Sequence, residues 1–464
     1  MAVADDRLRC AHLLRRFGLG ASESEVNYYS SGGLEGAVDK LLGYDSVDEG
    51  FSVDVERLKN PKGRLAPGAV SVWWTARLLM TRRPLQERMT LFWHDHFATS
   101  GSKVNSGLLM YGQNEILRKN ATGNFRTMIS EVSKDPAMIL WLDSQQNVRG
   151  HANENFAREV MELFTLGIGN YTEADVKEGA RAFTGWSLRR ERGAPGVAEF
   201  LFRPGVHDRG PKTYLGNTGN FDGDDILNIL CDKPRTSAFL TTKLWSWFVW
   251  PKPDAETIAP FAKKFHDSGL DIKELLRSIM LSDEFYSPKA MRAIVKSPVD
   301  FCVVTLREMG VGEQFRAIID SAPPEDPRAG FGPAMVANQA MKAMGMWLLY
   351  PPDVHGWDNG KAFINTQTMV QRIAWAEKLF GKGGDDRGPL RYEAYGLFKG
   401  DPTPDGVVHR LLTLFDVTLK PDHRQLLVSA VKTATGSTIT DENANAAAVA
   451  ASRLLFASPE FQMS

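Results

Sequence analysis

Three carboxylates and an arginine share one short stretch of this chain, Asn153-Glu154-Asn155-Phe156-Ala157-Arg158-Glu159-Val160-Met161-Glu162-Leu163-Phe164-Thr165-Leu166-Gly167. Phe156, Val160, Leu163 and Phe164 recur at helical spacing, Asn153 can cap the first turn and Gly167 can supply a left-handed stop, so the pattern predicts an amphipathic helix. At about 100° per residue, Glu154, Arg158 and Glu162 climb one side, and Asn155, Glu159, Glu162 and Leu166 form the adjoining stripe. Two carboxyl groups one turn apart cannot both ionise cheaply in a dry pocket. One pKa then rises to supply a general acid while the other group remains a base. The bland alternative is a solvated helix on which Glu154 and Arg158 make an ordinary i, i+4 ion pair.

The other candidates are imidazoles and indoles. His94, Asp95 and His96 lie in Phe92-Trp93-His94-Asp95-His96-Phe97, and His207 and Asp208 lie just before Gly210 and Lys212. Leu85, Met89, Phe92 and His96 fall on one helical stripe, which puts His96 where an apolar residue is expected and turns His94 roughly 200° away. A helical body can bring such imidazoles and carboxylates from separate helices onto one ion, so His94, His96, Glu159, Glu162 and His207 form an alternative set of ligands for a divalent metal. The leading reading uses no cofactor. Trp93, Trp186 and Trp357 each sit beside polar residues at a helix end or loop, where a sugar face could stack, although packing into the core is the commoner fate of such residues. Trp357 belongs to Pro351-Pro352-Asp353-Val354-His355-Gly356-Trp357-Asp358-Asn359-Gly360, a loop too elaborate for a plain connector.

The elements that must hold these residues are mostly helices. Apolar periodicity predicts them from about Arg7 to Leu42, over 70–80, 85–97, 107–119 and 125–142, and repeatedly from 237 to 283, with a capping box at Thr172-Glu173-Ala174-Asp175. Between 189 and 225 the texture turns to glycine and charge, with alternation at Glu199-Phe200-Leu201-Phe202-Arg203 and an apolar Thr213-Tyr214-Leu215, which predicts a small β-hairpin or paired excursion. The fold class expected is mainly α: a multi-helical body with a small β-hairpin insertion near 190–220. Arg277, Ser282, Glu284 and Phe285 match Arg453, Ser458, Glu460 and Phe461 at equal spacing, which fits two helical units that end alike. Residues 323–333 and 381–406 are linker candidates. The second would set off a small C-terminal helical unit, 405–464, packed on a main domain of 1–380.

Composition removes several function classes. The 464 residues are 43% hydrophobic, and 55 Lys+Arg against 56 Asp+Glu leave a formal charge of −1, so no global field favours nucleic acid or an anionic membrane. There is no GxxxxGK[ST], HExxH, GxSxG or CxxC pattern, and Cys10, Cys231 and Cys302 read as separate buried thiols. The most apolar window, Phe239 to Trp250, contains Lys243 and is too short to span a bilayer. No export leader is visible among the charged residues of the first twenty.

Five segments in order carry a resemblance: Phe92 to Phe97, Asn153 to Glu159, Ala182-Phe183-Thr184-Gly185-Trp186, His207-Asp208 with Gly210 and Lys212, and Pro351 to Trp357. Together they resemble the bacterial family called domain of unknown function 1800, and the similarity runs from about Leu13 to the C-terminus. The resemblance implies a largely helical, often exported protein, commonly encoded beside a sulfatase-like family that is a candidate partner. His94, His96, Glu154, Arg158, Glu159, Glu162, His207 and Asp208 match its motif positions. The position of Asp95 is often Asn in relatives, which argues against Asp95 as an indispensable acid.

The expectation is a hydrolase acting on a glycan or similar oxygen-rich polymer, or on a small-molecule substrate, with Glu159, Glu162 and His94 catalytic. Arg158, His96, His207, Asp208, Lys212, Trp186 and Trp357 would then bind substrate. A metal-dependent enzyme and a noncatalytic scaffold whose partner sits on the Trp357 loop are the alternatives.

Overall fold

In the computed structural model, which describes residues 2–190, 197–323, 326–381, 390 and 392–464, the Pro84–His96 helix is buried along its whole length. It separates two apolar clusters. Leu85, Met89, Phe92 and Trp93 join one that also holds Leu13, Phe125, Val160, Leu244 and Phe285. Leu91 joins the other, which holds Trp74, Val299, Met346, Trp375 and Phe456. A helix apolar on opposite faces can serve two cores at once, and Pro84 in its first turn lacks only a donor that would have had no partner there.

The architecture is mainly α, as the periodicity predicts. The helix expected over 125–142 is two, Phe125–Ser133 and Pro136–Trp141, because Pro136 opens a fresh first turn that Asp135 caps by accepting the Met138 N–H at 3.0 Å. The capping box at Thr172 is present. The expected small β insertion is present, as two antiparallel pairings. Trp186–Arg190 pairs antiparallel with Ala198–Phe202, and Lys212–Tyr214 pairs separately with Asn217–Gly219. Leu215 and Gly216 both have positive φ, 47° and 83°, the two-residue turn that pairs a strand with its immediate neighbour.

The matched segments near 280 and 456 end two comparable three-helix runs. Pro234–Phe248, Ala255–Asp267 and Ile272–Met280 form the first, and Pro404–Leu414, Pro421–Thr435 and Ala444–Ala457 the second. Ser282 Oγ donates to the Ile279 carbonyl at 2.8 Å and accepts the Phe285 N–H at 3.3 Å. Ser458 Oγ does the same with Leu455 and Phe461, at 2.7 and 3.3 Å. Both phenylalanines are fully buried, one in each cluster. The two ends then run together, with Lys296 N–H donating to Gln462 O at 2.7 Å and Ser464 N–H to Ile294 O at 2.8 Å.

Val407, Leu411, Leu427 and Phe456 of the C-terminal unit lie in the same cluster as Val299 and Trp375, and its Ala444–Ala457 helix packs on Thr366–Phe380. Of the linker candidates, 324–325 in the first and 382–389 and 391 in the second lie outside the described residues. Cys10, Cys231 and Cys302 are free and buried. Among the described residues no helix is long and apolar enough to cross a membrane.

Candidate functional site

The acidic helix is shorter than its sequence pattern, Asn155–Glu162. Asn153 Oδ1 accepts the Asn155 N–H at 2.9 Å, while Gly167, at φ 80°, returns its N–H to Met161 O at 3.1 Å. Phe156, Ala157, Val160 and Met161 are buried, which turns Glu159 and Glu162 to a half-buried face. Burial and the neighbouring Glu162 raise the Glu159 carboxyl above the usual carboxylate range, opposed by His355 and Arg158. The Tyr171 phenol donates to Glu162. His355, exposed on the 351–360 loop, therefore lies within electrostatic reach of Glu159 and joins two of the motif segments.

Arg158, expected to bind substrate, is already engaged. Its guanidinium donates to both Glu173 oxygens at 2.8 Å and to Glu154 at 3.3 Å, so it braces this helix against the start of Glu173–Ala182.

The two histidines of the Pro84–His96 helix point into opposite cores, as their angular separation predicts. His94 is 1% exposed, with its ring 5.3 Å from Trp74 and 5.5 Å from Trp357. Its Nε2 accepts the Leu349 N–H at 3.2 Å, and burial pushes its pKa down to about 3. His94, expected to be catalytic, is thus enclosed by Trp74, Trp357 and the Leu349 N–H. His96 Nε2 donates to Phe164 O at 3.2 Å, and burial likewise holds it neutral. Between them Asp95 accepts the Trp357 N–H at 2.8 Å and an Asn359 amide N–H at 3.0 Å. Gly356, at φ 88°, allows this approach, since a Cβ there would lie 2.4 Å from Asp95 Oδ1.

The second histidine motif builds a loop. His207 Nδ1 donates to Thr184 O at 2.9 Å, and Asp208 accepts Arg181 through both oxygens at 2.8 and 3.1 Å. That guanidinium holds Asp208 down at about 2. Lys212, 1% exposed, donates to Asp208 O at 2.7 Å and Gly210 O at 3.0 Å. These partners account for His207, Asp208 and Lys212 without a ligand. Trp186 is 3% exposed, packed on Phe156, Phe183 and Phe200. Trp357 is 6% exposed, and Trp93 is fully buried with its N–H on Ala121 O at 2.8 Å. Each indole expected as a sugar platform has protein against its faces.

His94 and His96 therefore face different clusters, while His207 and Asp208 are bonded within their own loop. Among the described residues no three His, Cys, Asp or Glu side chains are grouped to hold an ion, those of His94, His96, Glu159, Glu162 and His207 included. What the sequence reading missed is a cavity of about 730 Å³, on which Asp95, His96 and Asn359 border together with Arg16, Arg88 and Lys243. Burial raises Asp95 to about 6 and lowers Lys243. Lys243, a single cation inside an apolar window, was the one local signal.

A family model described as "Protein of unknown function (DUF1800)" matches residues 12–463. No curated protein and no solved structure matches the chain. With the match covering nearly all of its length, the chain belongs to the DUF1800 family.

Proposed function

We propose that this protein is a hydrolase acting on an oxygen-rich polymer, a glycan being the substrate class, with Glu159 as general acid and Glu162 as its base. The observation that carries the reading is the Glu159 carboxyl, raised by burial and by a second carboxylate one turn away on a half-buried helix face. Paired carboxyl groups that cannot both ionise cheaply divide into an acid and a base. Glu159 gives its proton to the leaving oxygen as the carbon–oxygen bond breaks. Glu162 takes a proton from the water that forms the new bond, so one water is consumed for each link cut. Both groups lie on the half-buried face of the helix, partly accessible from solvent. Arg158 and Asn153 act as positioning residues, through the bonds that fix the helix end.

Glu159→Gln and Glu162→Gln each lower turnover by at least about 100-fold, the usual worth of a general acid or base, whereas Glu154→Gln changes it little. Turnover retained by either of the first two variants overturns the assignment.

A further inference from the structure

The net charge of −1 hides a local excess of cations. Six residues bordering the 730 Å³ cavity are cationic, Arg15, Arg16, Arg88, Lys243, Lys252 and Lys361, against the carboxylates Asp95 and Asp300. Arg15 pairs with Asp416 and Arg88 with Asp300. Among the described residues, Arg16, Lys243, Lys252 and Lys361 have no carboxylate within 4.0 Å. Their depths differ in a useful way. Arg16 and Arg88 are each 4% exposed, Lys243 is half-buried, and Lys252 and Lys361 are exposed.

The inner arginines are incompletely satisfied. Arg16 donates only to neutral acceptors, the carbonyls of Val249 at 2.6 Å and Ala290 at 2.8 Å and the Ser464 hydroxyl at 3.5 Å, and its Nε–H has no partner. Arg88 Nη2 has none either. Burial and the adjacent Arg15 lower Arg16 to about 9, so it still carries its charge at neutral pH. A buried cation without a counter-charge is costly, and an anion that enters the cavity supplies the missing partner. Exposed lysines outside and guanidinium groups within leave the lining with an excess of cations, which attracts anions from solution.

We propose that this cavity is a binding site for an organic oxyanion, a phosphorylated small molecule whose phosphoryl group seats toward Arg16, Arg88 and Lys243. The volume lies well inside the roughly 300–1,000 Å³ of small-molecule sites, so the anion is a substituent on a larger body. Phe92, Trp247 and Phe363 line the same cavity and offer that body apolar faces. The site is separate from the Glu159–Glu162 helix, whose residues do not border it.

The full-length protein is titrated with pyrophosphate and inorganic phosphate, with sodium chloride at matched ionic strength as reference, and binding is read by calorimetry and by Tm. The expected result is a saturable rise in Tm of several degrees with pyrophosphate that sodium chloride does not reproduce. Lys243→Met and Lys361→Ala, both at positions that tolerate loss of charge without opening the core, each weaken binding at least 5-fold. Lys62→Ala, an exposed charge control, leaves it unchanged. A pyrophosphate response no larger than that of sodium chloride overturns the proposal, as does saturable binding that is unaffected by both lysine variants.

Discussion

The Asp95 carboxylate accepts the backbone N–H of Trp357 at 2.8 Å, which ties the end of the central helix to a loop far along the chain. Because a second oxygen accepts Asn359 at 3.0 Å, one side chain holds two residues that follow Gly356, a glycine that leaves no room for a Cβ. An amide oxygen could accept the Trp357 bond equally well, so the bond requires an acceptor rather than a charge.

That distinction sets a pH test. Burial raises Asp95 from 3.8 to about 6, so its contribution to stability is complete below about pH 4 and is lost as pH rises through about 6. Asp95→Asn removes this loss. Its stability relative to the parent protein, measured by urea unfolding, should increase from pH 4 to pH 7 by up to about 3 kcal/mol. Asp95→Ala leaves both donors without an acceptor and costs about 1–3 kcal/mol at low pH. A flat difference between Asp95→Asn and the parent across that range contradicts the account.

The paired serines give a test of the two helical units. Ser282→Ala and Ser458→Ala each remove a cap that accepts a phenylalanine N–H at 3.3 Å, and each should cost about 1 kcal/mol. Because Phe285 and Phe461 lie in different clusters, the double variant should show the sum within about 0.5 kcal/mol. Strong coupling between the two sites would mean that the ends do not act independently.

Lys212 holds the His207 loop through two backbone carbonyls. Lys212→Ala leaves two half-buried carbonyls without their donor and should lower stability by about 1 kcal/mol or more. Trp186→Ala opens a cavity among three phenylalanines and should cost about 3–5 kcal/mol. If either variant keeps parent stability but loses affinity for a glycan, that residue binds substrate and its role here is wrong.

Local chemistry was legible in the sequence. The Thr172 capping box, the Gly167 stop and the shared Ser282 and Ser458 turns depend on residues within a few positions, and all three are present. The opposite headings of His94 and His96 follow from helical geometry alone. What each would meet did not follow, because the partner of His94 is the Leu349 N–H, 255 residues away. The neighbours of Trp186 in the sequence are polar, and Phe200 reaches it across a strand pairing that forms only in the fold. The cavity was hidden for the same reason. Arg16, Arg88 and Lys243 come from three separate helices, and no spacing along the chain relates them.

The most direct measurement is release of reducing ends from a panel of glycans by the parent protein, Glu159→Gln and Glu162→Gln, across pH 4–8. At least one glycan is expected to be cut by the parent protein, with a rate that falls as pH rises and the raised Glu159 carboxyl ionises, and each variant is expected to lose at least about 100-fold. A parent protein that cuts none of the panel, or variants that cut as fast as the parent, would contradict that expectation.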